Sequence, residues 1–153
     1  MTTGADRSAP AFAEGTVEID APRERVWAVL TDFANWPKWQ AEVGKVTVDG
    51  EPAPGMKFKW KTGSGSIRST IVDFEVPGAV TWSGTTLGIN AMHAWQLTEA
   101  DGVTTVSTQE SWKGIVVRLM RRSLAPALQR AIDTGLLELK AAVEHPAAPA
   151  PAD

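Results

Sequence analysis

Few residues of this sequence are of a type that carries chemistry. There are two histidines, His93 and His145, and no cysteine, which removes thiolate nucleophiles, disulfide frameworks and Cys-based metal sites from consideration. His93 lies in a stretch where Ala91, His93, Trp95 and Leu97 alternate with Met92, Ala94 and Gln96, the period of a strand with one buried face. Asp101-Gly102 is the two-residue signal of a type I′ hairpin, and such a turn pairs each residue before it with the one equally far after it. That register sets His93 opposite Glu110, Leu97 opposite Val106, Trp95 opposite Thr108 and Ala91 opposite Trp112, all on one face. An imidazole beside a buried carboxylate can orient a ligand hydroxyl or carbonyl, or relay a proton. It can equally be a polar pair that satisfies itself in the wall, because structural pairs also perturb pKa values. His93 and Glu110 are therefore the candidate catalytic groups, and no further acid and base set accompanies them. No metal site and no cofactor is expected.

The second group is aromatic. The chain has seven Trp and no Tyr, so its ring surface sits in the bulkiest side chain. Met56, Phe58 and Trp60 alternate with Lys57, Lys59 and Lys61, which gives one apolar face and one lysine face, as in a sheet packed on one side and wet on the other. Val80 and Trp82 continue the inward set, while Asn90, Gln96 and Thr98 face water. Rings converging from separate strands line a pocket when a few polar groups stand among them; the plainer reading is core packing. The candidate ligand-binding residues are Trp39, Phe58, Trp60, Trp82, His93, Trp95, Glu110 and Trp112, with Met120, Leu124 and Leu128 from the last helix. Trp27 is assigned to the structural core. Arg118, Arg121 and Arg122 form a basic cluster, read as a solvated helical face with an anionic headgroup site as the alternative.

The elements that must position these groups follow from pattern. Residues 1–12 and 146–153 are small, polar and Pro-containing and read as flexible tails around a single domain at 13–145. Glu14 to Ile19 alternates as a strand; Asp20 and Pro22 then mark a helix start, with Asp20 as capping acid, and Arg23 to Thr31 carries Val26, Trp27 and Leu30 on one side. A short second helical turn fits between Asp32 and Trp39. From Glu42 to Gly114 the period is two, interrupted by turn signals, which predicts six consecutive strands. From Ile115 to Glu144 a helical stripe runs through Met120, Leu124, Leu128, Ala131, Gly135, Leu139 and Val143, with Pro126 expected to kink or divide the helix into a short first and a longer second piece. The formal charge of −3 gives no electrostatic basis for nucleic-acid binding. The start lacks a secretory signal and no stretch is apolar for the length of a membrane span, so the expectation is a cytoplasmic chain without stable membrane insertion.

This order resembles the START-like (SRPBCC) superfamily, especially its polyketide cyclase/dehydrase-like branch, over Glu14 to Glu144. The resemblance is carried by Asp20 to Trp27, Leu30 to Asp32, Pro37 to Trp39, Val80 to Trp82, His93 to Leu97, Glu110 to Gly114, and Leu139-Lys140 with Glu144. It implies an α+β helix-grip fold: a curved antiparallel sheet of about seven strands around a long C-terminal helix, with one or two short helices after the first strand. It also implies an internal cavity for a hydrophobic small molecule, lipid-like or aromatic and polyketide-like, held by a carrier or sequestering protein. Two alternatives stay open: a polyketide aromatase/cyclase-type enzyme and a protein-interaction module of the chaperone-associated kind.

Overall fold

The computed structural model describes residues 4–63 and 65–146; the tail assignments at 1–3 and 147–153 lie outside the described residues. Seven strands, β1 (Ala11–Ile19), β2 (Val46–Asp49), β3 (Lys57–Thr62), β4 (Gly65–Glu75), β5 (Ala79–Thr86), β6 (Ile89–Ala100) and β7 (Val103–Lys113), form one antiparallel sheet in the order β1-β7-β6-β5-β4-β3-β2. The sequence order is consecutive from β2 to β7, so every link there is a hairpin, and only β1 crosses to the far edge. Between β1 and β2 lie α1 (Arg23–Leu30) and a 3-10 helix (Phe33–Lys38). After β7 come α2 (Ile115–Leu119) and α3 (Arg121–Glu144).

The β6–β7 register is the one the turn dictates: Asp101 and Gly102 have φ of 53° and 78°, the pair of positive values a type I′ turn needs. His93 pairs with Glu110, Leu97 with Val106, Trp95 with Thr108 and Ala91 with Trp112. β1 starts at Ala11, ahead of the expected Glu14, because Ala11 and Ala13 face inward against Trp112 and Glu110, and Ala is too weak a strand signal to mark the alternation. Asp6 fastens the preceding segment to the outer face of β7, through its N–H to Ser111 Oγ and an ion pair with Lys113.

Three helical expectations are corrected. Asp20 does not cap α1; its cap residue is Pro22, and Glu99 Oε1, reaching from β6, accepts the Arg23 N–H at 2.6 Å. The last helix divides at Met120, with Pro126 inside the early turns of α3, where only one intrahelical bond is forfeited. The buried stripe of α3 is Leu128, Ile132, Leu136, Leu139 and Val143, so Ala131 and Gly135 lie off it. Both stripes take one step of three, as a helix of 3.6 residues per turn requires, but in the structure it falls at Leu136–Leu139 and not at Leu128–Ala131, which puts Ile132 and Leu136 on the buried face.

α3 lies along β1 and touches α1 and β7, while the 3-10 helix covers the β2 side of the sheet. Where α1 and the C-terminal half of α3 meet the strands, the core is closed: Ile19, Val26, Val80, Val106, Leu139 and Val143 are fully buried.

Candidate functional site

The concave face carries rows of side chains running across the sheet. One row is Ile71, Trp82, His93, Glu110 and Ala13; its neighbour is Phe58, Ser69, Gly84, Ala91, Trp112 and Ala11. In the first row His93 Nδ1 stands 3.1 Å from Glu110 Oε1, with both side chains about one-sixth exposed, at 17% and 16%. Glu110 Oε2 accepts the Trp112 Nε1–H at 2.7 Å. On the other side of the imidazole, Nε2 is 2.9 Å from Thr108 Oγ1, and the Thr108 hydroxyl donates to the Ala94 carbonyl at 2.9 Å. A hydroxyl has one hydrogen. With that hydrogen on Ala94, Thr108 accepts from Nε2–H; with it on Nε2, Nδ1–H donates to Glu110 Oε1.

Burial holds His93 below its ordinary pKa, and the Glu110 carboxylate opposes that shift. Trp112, Glu110, His93, Thr108 and the Ala94 carbonyl form a continuous line of polar contacts.

The second row has small residues at its centre. Gly84 and Ala91 sit side by side between the His93 row and the outer residues Trp60, Ile67 and Ile89. A Cβ on Gly84 would stand 3.2 Å from Ile67 Cγ2 and 3.4 Å from Ser69 Oγ, so those side chains already fill the space over the Gly84 backbone. Trp60, Ile67, Ile89, Ala91, Trp112 and Leu124 are all part-exposed, in contrast to the closed core further along the same strands. Together they form the more open end of the concave face, with the His93–Glu110 pair at its inner end.

The structure distributes the sequence candidates unevenly. Phe58, Trp82 and Trp95 are buried, and Leu128 is wholly so. Trp82 lies between Phe58, His93 and Trp95, with ring centroids 6.1, 5.1 and 6.3 Å away. Trp60 is at the cleft with its indole N–H on Ser69 Oγ at 3.1 Å. Trp39 follows the 3-10 helix and is only partly buried against the core. Met120 does not point inward: it is the joint between α2 and α3 and is 51% exposed, because the helix breaks there and the expected stripe begins later. The volume assigned to a cavity is largely taken by rings. Phe33 and Trp36, which the sequence reading did not single out, are almost fully buried and pack on Phe58 and Trp82 with centroids 4.7 to 5.7 Å apart. The Trp36 N–H reaches the Leu30 carbonyl at 2.9 Å. Their signal was present in the spacing Phe33, Trp36, Trp39, one ring per 3-10 turn. Two larger hollows, about 380 and 170 Å³, lie on the outer face.

Comparison with known proteins agrees with this architecture. A hypothetical protein of Helicobacter pylori superposes with a TM-score of 0.79 at 19% identity, over 94% of this chain and 99% of its own. An aromatase/cyclase of a Streptomyces species gives 0.73 at 16% identity, over 87% and 93%, and a START superfamily protein of Mycobacterium smegmatis gives 0.72 at 13%, over 87% and 97%. At these identities the likeness is one of fold. Among curated proteins there is no significant match. The family model described as polyketide cyclase / dehydrase and lipid transport matches residues 11–144, from the first residue of β1 to the last of α3, and the chain belongs to that family.

Proposed function

We propose that the chain binds a hydrophobic small molecule, lipid-like or aromatic, in the concave cleft, as a carrier or sequestering protein. The observation that carries this reading is the composition of the open end of the concave face: the small Ala91, the part-exposed apolar Trp60, Ile67 and Trp112, and one polar pair, His93–Glu110, at the inner end. Ligand sites are commonly built so, with apolar burial for affinity and few polar groups for orientation. The Trp95 indole N–H supports the same reading, since it is buried and finds no acceptor among the described residues. A ligand oxygen at the inner end has His93, Glu110 and Trp95 within one patch of wall.

The experiment is a titration of intrinsic Trp fluorescence with 2-naphthol and with oleic acid, on the native chain and on Ala91→Leu. The native chain should respond saturably to at least one probe and the variant should not. Equal responses, or none from the native chain, count against the cleft.

A second reading, an aromatase/cyclase-type enzyme, is favoured by one observation. Both imidazole nitrogens of His93 are held, Nε2 by Thr108 and Nδ1 by Glu110, in a pair that keeps part of its surface open. Such a pair is suited to general acid–base steps of a cyclising aldol and dehydration. Loss of turnover of a poly-β-keto thioester in His93→Asn, with binding retained, would support it. Unchanged turnover would remove it.

A further inference from the structure

One end of the molecule brings together exposed apolar side chains, an unusual turn and a cluster of basic residues. The end is built from the β5–β6 turn at Leu87-Gly88, the joint at Gly114, and α2. These pieces are packed together: a Cβ on Gly114 would sit 2.2 Å from the Gly88 carbonyl oxygen, and one on Gly88 would sit 3.7 Å from Val116 Cγ2. They present Leu87 at 78%, Ile115 at 77% and Leu119 at 79% exposure, with Met120 and Val116 beside them. Contiguous exposed apolar side chains mark an interaction surface more often than scattered ones do.

Leu87 adds an independent sign. Its φ is 43° and that of Gly88 is 79°, a turn whose positions are normally Asn, Asp or Gly. A Leu there holds an unfavourable backbone conformation and buries nothing within its own chain. Fold stability gives no reason for it.

The charge around these side chains is mostly basic; the Asp6 carboxylate, in the neighbouring hollow beside Asn90, is paired with Lys113. Lys59 and Arg68, with Ser66, Thr85, Thr86 and Asn90, line the 380 Å³ groove that adjoins Leu87 and Ile89. Arg118, Arg121 and Arg122 follow on α2 and α3 and are exposed. Among the described residues none of these five cations forms an ion pair. The sequence has no acidic residue between Glu51 and Asp73, between Glu75 and Glu99, or between Glu110 and Asp133. A chain of net charge −3 thus keeps its acids away from the strands and helix that build this end.

We propose that this end docks reversibly on an anionic lipid surface, with Leu87, Ile115 and Leu119 entering the boundary between headgroups and acyl chains and the flanking Lys and Arg engaging the headgroups. Protruding apolar tips need a matching pocket to bind a protein, whereas a lipid interface accepts them as they are. Basic residues around an apolar face are the composition of a surface-bound rather than spanning contact. The cleft's outermost residues, Trp60 and Ile89, lie at the same end, so a bound molecule has a short path to the surface. Docking itself stands whatever the cleft binds.

The test is co-sedimentation of the full chain with vesicles of phosphatidylcholine alone and of phosphatidylcholine mixed with phosphatidylglycerol, at low and high salt. Binding should require the anionic lipid and weaken with salt. The triple variant R118Q/R121Q/R122Q and the triple variant L87S/I115S/L119S should each lower partitioning roughly tenfold or more. Leu87→Asn is the sharper variant, since Asn suits a positive φ: it should raise the thermal midpoint while lowering partitioning, a pair of changes that damage to the fold cannot produce. No binding to anionic vesicles at low salt would overturn the proposal. So would loss with the Arg variant alone and none with the Leu/Ile variant, which would mean that charge attraction holds the chain to the vesicle with no apolar side chain entering it.

Discussion

The two ends of the concave face are made from the same strands and differ in almost everything else. At one end Val80, Leu97 and Val106 meet Ile19, Val26, Leu30, Leu139 and Val143, and nothing is left exposed. At the other, Trp60, Ile67, Ala91 and Trp112 stay part-exposed, α3 contributes the partly buried Leu124 and Ala125, and an ion pair that could have been sealed keeps about one-sixth of its surface open. The contrast teaches that the fold's stability and its proposed binding chemistry are segregated along the strands, and substitutions at the two ends should separate accordingly.

The largest effect is expected where the rings close the core. Trp36→Ala empties a large buried site and leaves the Leu30 carbonyl without its indole donor, so it should cost about 3–5 kcal/mol in denaturant unfolding; a cost near zero would mean the ring cluster is not the keystone of that region. Trp112→Phe should cost less, about 1.5 kcal/mol, because it removes one donor to the Glu110 carboxylate at a partly open position.

The pH dependence sharpens the comparison further. Burial lowers the native pKa of His93, so the unfolded chain takes up the proton first. The stability this site contributes is complete above the ordinary imidazole value of about 6.5 and is lost as the pH falls below it through the native value. Measured against the native chain, His93→Asn should flatten that part of the stability profile. Glu110→Gln, which removes the opposing carboxylate, should steepen it. The smallest stability change is expected at the open end: Ala91→Leu should stay within about 1 kcal/mol of the native chain while abolishing the response to apolar probes. A large loss of stability there would show that the cleft is in fact closely packed.

Much of this was readable from sequence where a local rule dictates geometry. Asp101-Gly102 dictates the β7 partners of Asn90 to Ala100, and the alternation of Met56 to Lys61 separated the wet face from the apolar one. The ring cluster was less readable, because Phe33 and Trp36 sit on a 3-10 helix of six residues, Phe33–Lys38, too short for its spacing of three to stand out as a buried face. Met120 was misplaced for a related reason: periodicity continues smoothly through residue 120, and only tertiary packing reveals that the helix breaks there. Thr108, which orients His93, was placed opposite Trp95 by the register. Its diagonal contact with the imidazole depends on side-chain direction that sequence does not supply.

The most direct test of the cleft is the set of seven indole N–H resonances, one for each Trp, followed by NMR as 2-naphthol is added. The account predicts that the signals of Trp60, Trp95 and Trp112 move together with the His93 ring, while those of Trp27 and Trp36 stay still. Movement centred on Trp27 and Trp36, or a titration that leaves Trp60, Trp112 and His93 unchanged, would contradict it.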